Sequence, residues 1–375
     1  MRYILDFVNE SLETRAVFIG GPRQVGKTTL ALSLLAADAD AKHPAYLNWD
    51  YGPSSDKIRK TQLPANQPIL VFDELHKFKT WKRWIKGVID VEKKHRKIIV
   101  TGSARLDVYQ KGGDSLFGRY RYVRLHPYSL RELNLEDCEV ALNLLFKYGG
   151  FPEPLFRENE RQLKLWQKER IRRIIREDVR EISLIQNLAA LESLAEIMPE
   201  KIGSPLSVKS LSGDIQVDHK TMKRWIQVLE SMYFCFRISP FGSSKIRAVK
   251  KEQKLYMWDW SVVDNLGARW ENLVASQLLK YCHWLEDSDG DSMELRFLRD
   301  VDKREVDFVV IKNKKPIFAV ECKSGDKSIG SSLHYFASRT NIPQFYQVHR
   351  GTATYSTGKI KVMPFIDFCN ELKMP

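Results

Sequence analysis

The sequence predicts an α/β protein with a doubly wound P-loop core at the front, a winged-helix-like middle and a second, smaller α/β fold at the rear. Three observations lead there. A short apolar run, Val17 to Gly20, passes through a glycine-containing loop into a helical stretch. Strand-like apolar runs then alternate with helical stretches up to about residue 130, as in a parallel sheet wound on both faces. Near the C-terminus a hairpin carries an acid on its outgoing strand and Glu-x-Lys on its return. At 375 residues, and ~150 residues per domain, the expected organisation is 1–150, 151–260 and 261–375.

The loop is Gly21-Pro22-Arg23-Gln24-Val25-Gly26-Lys27-Thr28, and Thr29 follows as the helix begins. Phosphate binding accounts for that spacing. Glycines let backbone N–H groups curl around phosphate oxygens, and the helix N-terminus adds positive potential. A lysine at position 27 reaches the β and γ phosphates, and Thr28 ligates magnesium, so ATP and Mg2+ are the expected cofactors. A second strand, Ile69 to Phe72, ends in Asp73-Glu74. Asp73 is expected to hold the magnesium through water, and Glu74 to orient or deprotonate the attacking water. A third strand, Lys97 to Val100, ends in Thr101-Gly102-Ser103, which makes Ser103 the candidate sensor of the γ-phosphate. Ala45 to Asp50 reads as another strand. In Phe117 to Leu125 arginines alternate with aromatic and apolar residues. Arg119 is the candidate arginine finger, given to a neighbouring copy in a homo-oligomer, while Arg121 and Arg124 read equally well as a solvated strand face.

Composition sets the frame for these motifs. With 43% hydrophobic and 29% charged residues, the chain can bury several cores and is not a disordered polyampholyte. Sixty Lys and Arg against 47 Asp and Glu give a net charge of +13, a balance that attracts polyanions such as nucleic acid. Cys138, Cys235, Cys282, Cys322 and Cys369 are far apart and form no CxxC pair, which speaks against a disulfide framework or a zinc ribbon. No uncharged apolar run approaches the ~18 residues of a membrane span, and the opening MRYILDFVNESLE turns acidic too soon for a signal peptide. The expectation is a cytoplasmic protein with no membrane partner.

The segments GGPRQVGKTTL, YLNWD, VFDELHK, TGSARL, FGRYRYVRLHPYSLRE and YGGFPEP occur in one order along the chain. Together they resemble the AAA-type ATPases of the bacterial and archaeal family that carries a C-terminal DUF4143 region. The resemblance covers essentially the whole chain and is most specific in the front half. It implies an ATPase module, a helical and winged-helix middle, and a nuclease-like C-terminal fold, without naming a substrate.

In the middle, Leu163, Trp166, Ile171, Ile174, Ile175, Val179 and Ile182 recur at helical spacing. They leave Arg172, Arg173, Arg176 and Arg180 largely on other faces, which predicts a basic amphipathic helix over 161–182. Ser207 begins one capped helix, Asp218 caps a second running His219 to Ser231, and Phe234 to Ile238 pairs with Lys254 to Trp258 as a wing. In a DNA-binding winged helix the second helix enters the major groove. Lys220, Lys223 and Arg224 are then the candidates for DNA contact, with Lys245, Arg247, Lys250 and Lys251 in the wing. The same outline also serves protein partners.

At the rear, Arg304 to Ile311 and Pro316 to Lys323 form the hairpin, turning at Lys312 to Lys315. Asp307, Glu321 and Lys323, with Glu271 on a preceding helix, resemble the carboxylate and lysine set of restriction-endonuclease-like folds, particularly the Holliday-junction resolvases. Cys322 is expected on the opposite face. The function expected from the whole chain is ATP hydrolysis coupled to work on DNA, with a candidate Mg-dependent nuclease site. The contrasting reading is a nucleotide-dependent switch with an inactive nuclease-like domain.

Overall fold

The computed structural model describes every residue except 103–115, 117, 180–184, 186 and 243–251. The chain divides into two compact units. One comprises Met1–Pro127 with Ser231–Tyr233, and the other Tyr128–Glu230 with Phe234–Pro375.

The first unit is built on five strands: β1 (Ala16–Gly20), β2 (Tyr46–Asn48), β3 (Ile69–Asp73), β4 (Lys97–Thr101) and β5 (Tyr120–Arg124). They pair in the order β2-β3-β4-β1-β5, and every pairing is parallel. Parallel strands covered on both faces need near-continuous apolar runs, and β1, β3 and β4 have them. Phe18, Leu70, Phe72 and Val100 pack with Ile85 and Ile89 of the Trp81–Glu92 helix in one buried cluster. Burying each such side chain contributes about 1.5–3 kcal/mol. Because the strands run the same way, Gly20, Asp73 and Thr101 all end at one rim of the sheet, where open α/β sheets bind ligands.

The second unit is built on a mixed sheet of eight strands in the order β12-β13-β11-β10-β9-β8-β6-β7. The members in chain order are β6 (Cys235–Pro240), β7 (Lys254–Met257), β8 (Met293–Arg299), β9 (Glu305–Lys312), β10 (Lys315–Cys322), β11 (Phe345–His349), β12 (Tyr355–Thr357) and β13 (Ile360–Pro364). The expected wing hairpin forms, with Cys235 opposite Met257. It is not freestanding, since β6 also pairs in parallel with β8 through Ser239 and Arg296. The rear hairpin turns through Asn313 and Lys314, both at positive φ (50° and 67°), the backbone of a two-residue turn matched to strand twist. A long helix, Leu266–Asp289, buries Trp270, Leu273, Val274 and Leu278.

The basic helix is described as far as Val179, while Arg180 and Ile182 lie outside the described residues. It runs Glu160–Arg173 and then widens into a π-helical turn over Ile174–Val179. Arg173 meets Glu169 at 3.8 Å and Arg176 meets Glu192 at 2.7 Å, so internal acids occupy part of that basic face. Ser207 caps the Val208–Ile215 helix by accepting from the Ser210 amide, and Asp218 accepts from the Lys220 and Thr221 amides at the start of His219–Ser231. No helix among the described residues is long and apolar enough to cross a membrane.

Candidate nucleotide site

The loop between β1 and the Lys27–Ser33 helix is set by backbone conformations that only glycine adopts freely. Gly21 has φ +138° and Gly26 φ +99°. A Cβ on Gly21 would lie 2.3 Å from the Leu125 carbonyl oxygen, so the close approach of loop and β5 exit also demands glycine there. Lys27 is 7% exposed, and its ammonium donates to the carbonyls of Gly21 (3.0 Å) and Pro22 (2.7 Å). Pro22 and Val25 are buried, Arg23 and Gln24 half-buried, and Thr29 exposed.

Asp73 ends β3 at 3% exposure and is held from several sides. Thr28 Oγ1 donates to its Oδ2 at 2.8 Å, and so does the Tyr46 hydroxyl at 2.6 Å. Thr101 Oγ1 donates to its Oδ1, as does the Glu74 backbone N–H at 3.0 Å. Tyr46 and Thr101 were not singled out in the sequence. The signal for them is positional, because the flanking strands β2 and β4 bring them to either side of β3. Burial, then the charge of Asp73, push the Tyr46 phenol up, which keeps it a donor.

Glu74 follows at φ +52°, a left-handed conformation that is uncommon for a non-glycine residue. Burial, reinforced by the Asp73 charge and opposed by Lys27, raises its carboxyl to about 7. Its Oε2 lies 3.6 Å from His76 Nε2. A carboxyl poised near neutrality beside a lysine-bearing loop suits proton transfer from water. The donor set fits a magnesium nucleotide: Thr28 and Asp73 offer hard oxygens side by side, and Lys27 and the loop amides offer positive charge.

Of the other front-half candidates, Ser103 lies outside the described residues. Arg119 sits just before β5, with its backbone carbonyl accepting from the Ala16 amide. Ala16 opposes Tyr120 and Gly20 opposes Arg124, so Arg119 is at the rim opposite the loop. Its guanidinium grips Asp90 at 2.7 and 3.2 Å.

In the second unit, Lys220, Lys223 and Arg224 are exposed, while Met222, Trp225, Ile226 and Leu229 of the same helix are buried. The wing residues Lys245, Arg247, Lys250 and Lys251 lie outside the described residues. Glu271, Asp307, Glu321 and Lys323 do come together, around a lysine that the sequence reading had treated only as the start of a wing strand. Lys254 is fully buried and lies 3.1 Å from Glu271, 2.5 Å from Glu305 and 3.6 Å from Asp307. Tyr256 donates to Glu271 at 2.7 Å, the Cys322 amide to Asp307 at 2.9 Å, and Lys323 to Glu321 at 2.6 Å. The spacing of Lys254 and Tyr256, two apart and so on one face of β7, was the available signal.

Family models match this chain in three stretches: an AAA domain over residues 13–134, a domain of unknown function (DUF8612) over 141–273, and a domain of unknown function (DUF4143) over 266–368. An uncharacterized protein of Mycobacterium tuberculosis is 21% identical over 282 residues, 70% of this chain and 62% of that protein. One of Methanocaldococcus jannaschii is 25% identical over 239 residues, 57% of this chain and 53% of that protein. The chain therefore spans less than two thirds of the length of these curated relatives. Among solved structures, the Aeropyrum pernix Orc1 protein in complex with DNA is similar at a TM-score of 0.34 and 15% identity, over 74% of this chain and 94% of that one. The loop, Asp73 and Glu74 all lie inside the first matched stretch, and this chain carries an AAA domain followed by a C-terminal DUF4143 domain.

Proposed function

We propose that this protein hydrolyses ATP and couples the hydrolysis to work on DNA. The observation that carries the first half is the Thr28–Asp73 contact at 2.8 Å, with Lys27 beside Thr28 at the start of the helix and Glu74 next along the strand end. The amides of Gly21 to Thr28 and the Lys27 ammonium would bind the phosphates. Thr28 and Asp73 would hold magnesium, which when bound neutralises charge on the β and γ oxygens. Glu74 orients the attacking water and takes its proton, and Tyr46 and Thr101 hold Asp73 in register with Thr28. Arg119 faces away from its own loop, so its role is proposed in trans, within a homo-oligomer.

The DNA half is supported by the net charge of +13 and by the exposed Lys220, Lys223 and Arg224 on one capped helix. The test is ATP turnover with and without duplex, single-stranded and four-way-junction DNA, with Lys27→Ala as the control. Turnover stimulated by DNA and abolished by Lys27→Ala is expected. DNA-indifferent turnover would leave the alternative, a nucleotide-driven switch acting on a protein partner.

A further inference from the structure

The carboxylates of the DUF4143 unit resemble a divalent-metal site, yet most of their oxygens are already engaged, with Glu321 Oε2 a buried exception that has no hydrogen-bond partner. Glu271 Oε1 accepts from both Lys254 and Tyr256. Glu305 Oε1 faces Lys254, and its Oε2 accepts from Arg299 at 2.9 Å. Asp307 is divided between Lys254 and the Cys322 amide, and Glu321 Oε1 is bound by Lys323. Among the described residues no group of three or more His, Cys, Asp or Glu has the arrangement to hold a metal ion. The set therefore does not fit the metal that a nuclease-like fold implies.

We infer that Lys254 is the resident cation of this cluster, its ammonium occupying the place among Glu271, Glu305 and Asp307 where a divalent ion would otherwise sit. Three features support it. The side chain enters from β7, between the Leu266–Asp289 helix and β9, and is 0% exposed, so it is not a surface lysine that happens to lean inward. An ammonium has three N–H donors, and it meets three carboxylates from two different elements. Charge is also nearly balanced without a metal: the carboxylates of Glu271, Glu305, Asp307 and Glu321 face the cations Lys254, Lys323 and Arg299. Burial alone would discharge Lys254, but Glu271, Asp307 and Glu305 outweigh it and keep the ammonium protonated. Burial and the charges of Glu321 and Glu271 push the Asp307 carboxyl up, opposed by Lys254. The cluster is then a metal-independent knot joining β7, β9 and the long helix, and this unit does not cut DNA.

The experiment titrates nucleotide-free full-length protein with Mn2+, reading uptake by calorimetry and melting temperature by scanning calorimetry. Asp307→Asn is the control that leaves any Mn2+ bound near the P-loop untouched. Wild type and Asp307→Asn are expected to take up the same amount of Mn2+. Lys254→Met, which keeps the length and removes the charge, is expected to gain one Mn2+ that Lys254→Met/Asp307→Asn lacks, and to melt higher as Mn2+ rises. Mn2+ uptake by wild type that Asp307→Asn abolishes would overturn the inference. So would a folded Lys254→Met that gains no ion, or Mg-dependent DNA cleavage by wild type that Asp307→Ala lacks. If Lys254→Met fails to fold, the comparison of wild type with Asp307→Asn decides alone. The ATPase reading stands or falls separately, since no nucleotide is present.

Discussion

Thr28, in the helix after β1, and Asp73, at the end of β3, are hydrogen-bonded at 2.8 Å although β4 lies between those two strands. The contact is made above the rim, by the first turn of the helix that follows the loop. Removing either side chain should leave the sheet intact and abolish turnover. Thr28→Ala and Asp73→Asn are expected to keep the wild-type far-ultraviolet circular dichroism and to lose Mg-dependent ATP hydrolysis in a phosphate-release assay. Full activity in either would detach this pair from the chemistry.

Glu74→Gln should separate binding from hydrolysis. Loss of a general base costs about 10²–10⁴-fold in rate, so the variant should retain a fluorescent ATP analogue while single-turnover hydrolysis falls by that factor. The wild-type rate should also depend on pH. With its carboxyl raised to about 7, Glu74 is protonated and inactive as a base below that value, so turnover should climb between pH 6 and 8. A flat profile across that range would remove Glu74 from proton transfer.

Tyr46→Phe deletes a hydroxyl that donates to a buried carboxylate. Hydrogen bonds to charged groups contribute about 1.5–3 kcal/mol, and urea unfolding of the first unit should register a loss of that order. Catalysis should fall less than in Asp73→Asn, because Thr101 and the Glu74 amide still hold Asp73.

Arg119→Ala should leave the melting temperature essentially unchanged, since the Arg119–Asp90 pair is solvent-exposed. Hydrolysis should nevertheless drop in the assembled protein. Mixing Arg119→Ala with Lys27→Ala should restore part of the activity, because each supplies what the other lacks. No restoration at any mixing ratio would confine Arg119 to its ion pair.

Replacing Lys220, Lys223 and Arg224 together with alanine should weaken DNA binding and flatten its salt dependence. Each phosphate contact contributes about −0.9 to the slope of log K against log salt. Fluorescence anisotropy from 50 to 300 mM salt measures both quantities, and an unchanged slope would exclude this helix from the phosphates.

What the sequence made legible followed from local pattern. The loop from Gly21 to Thr28, the Asp73-Glu74 strand end and the Asn313-Lys314 turn each depend on residues adjacent in the chain. Glu271, Asp307, Glu321 and Lys323 could be grouped because the hairpin is short and strand faces alternate. Tyr46, Thr101 and Lys254 escaped notice because their roles come from strand order. Tyr46 matters only because β2 lies beside β3, and Lys254 only because β7 joins the large sheet through β6. The apolar spacing of the basic helix gives no sign that the α-helix passes into a wider π-helical turn after Arg173.

The opposed placement of Arg119 and the loop on the parallel sheet has a geometric outcome. A contact that carries one molecule's Arg119 to another's Lys27 would bring opposite rims of two copies together, either mutually in an antiparallel two-fold pair or head to tail. Made head to tail, it would repeat in one direction until rotation closes the circle or the subunits extend as a filament. Around such a circle each chain would hand its guanidinium forward and receive one from behind, which would give the ring a sense of travel.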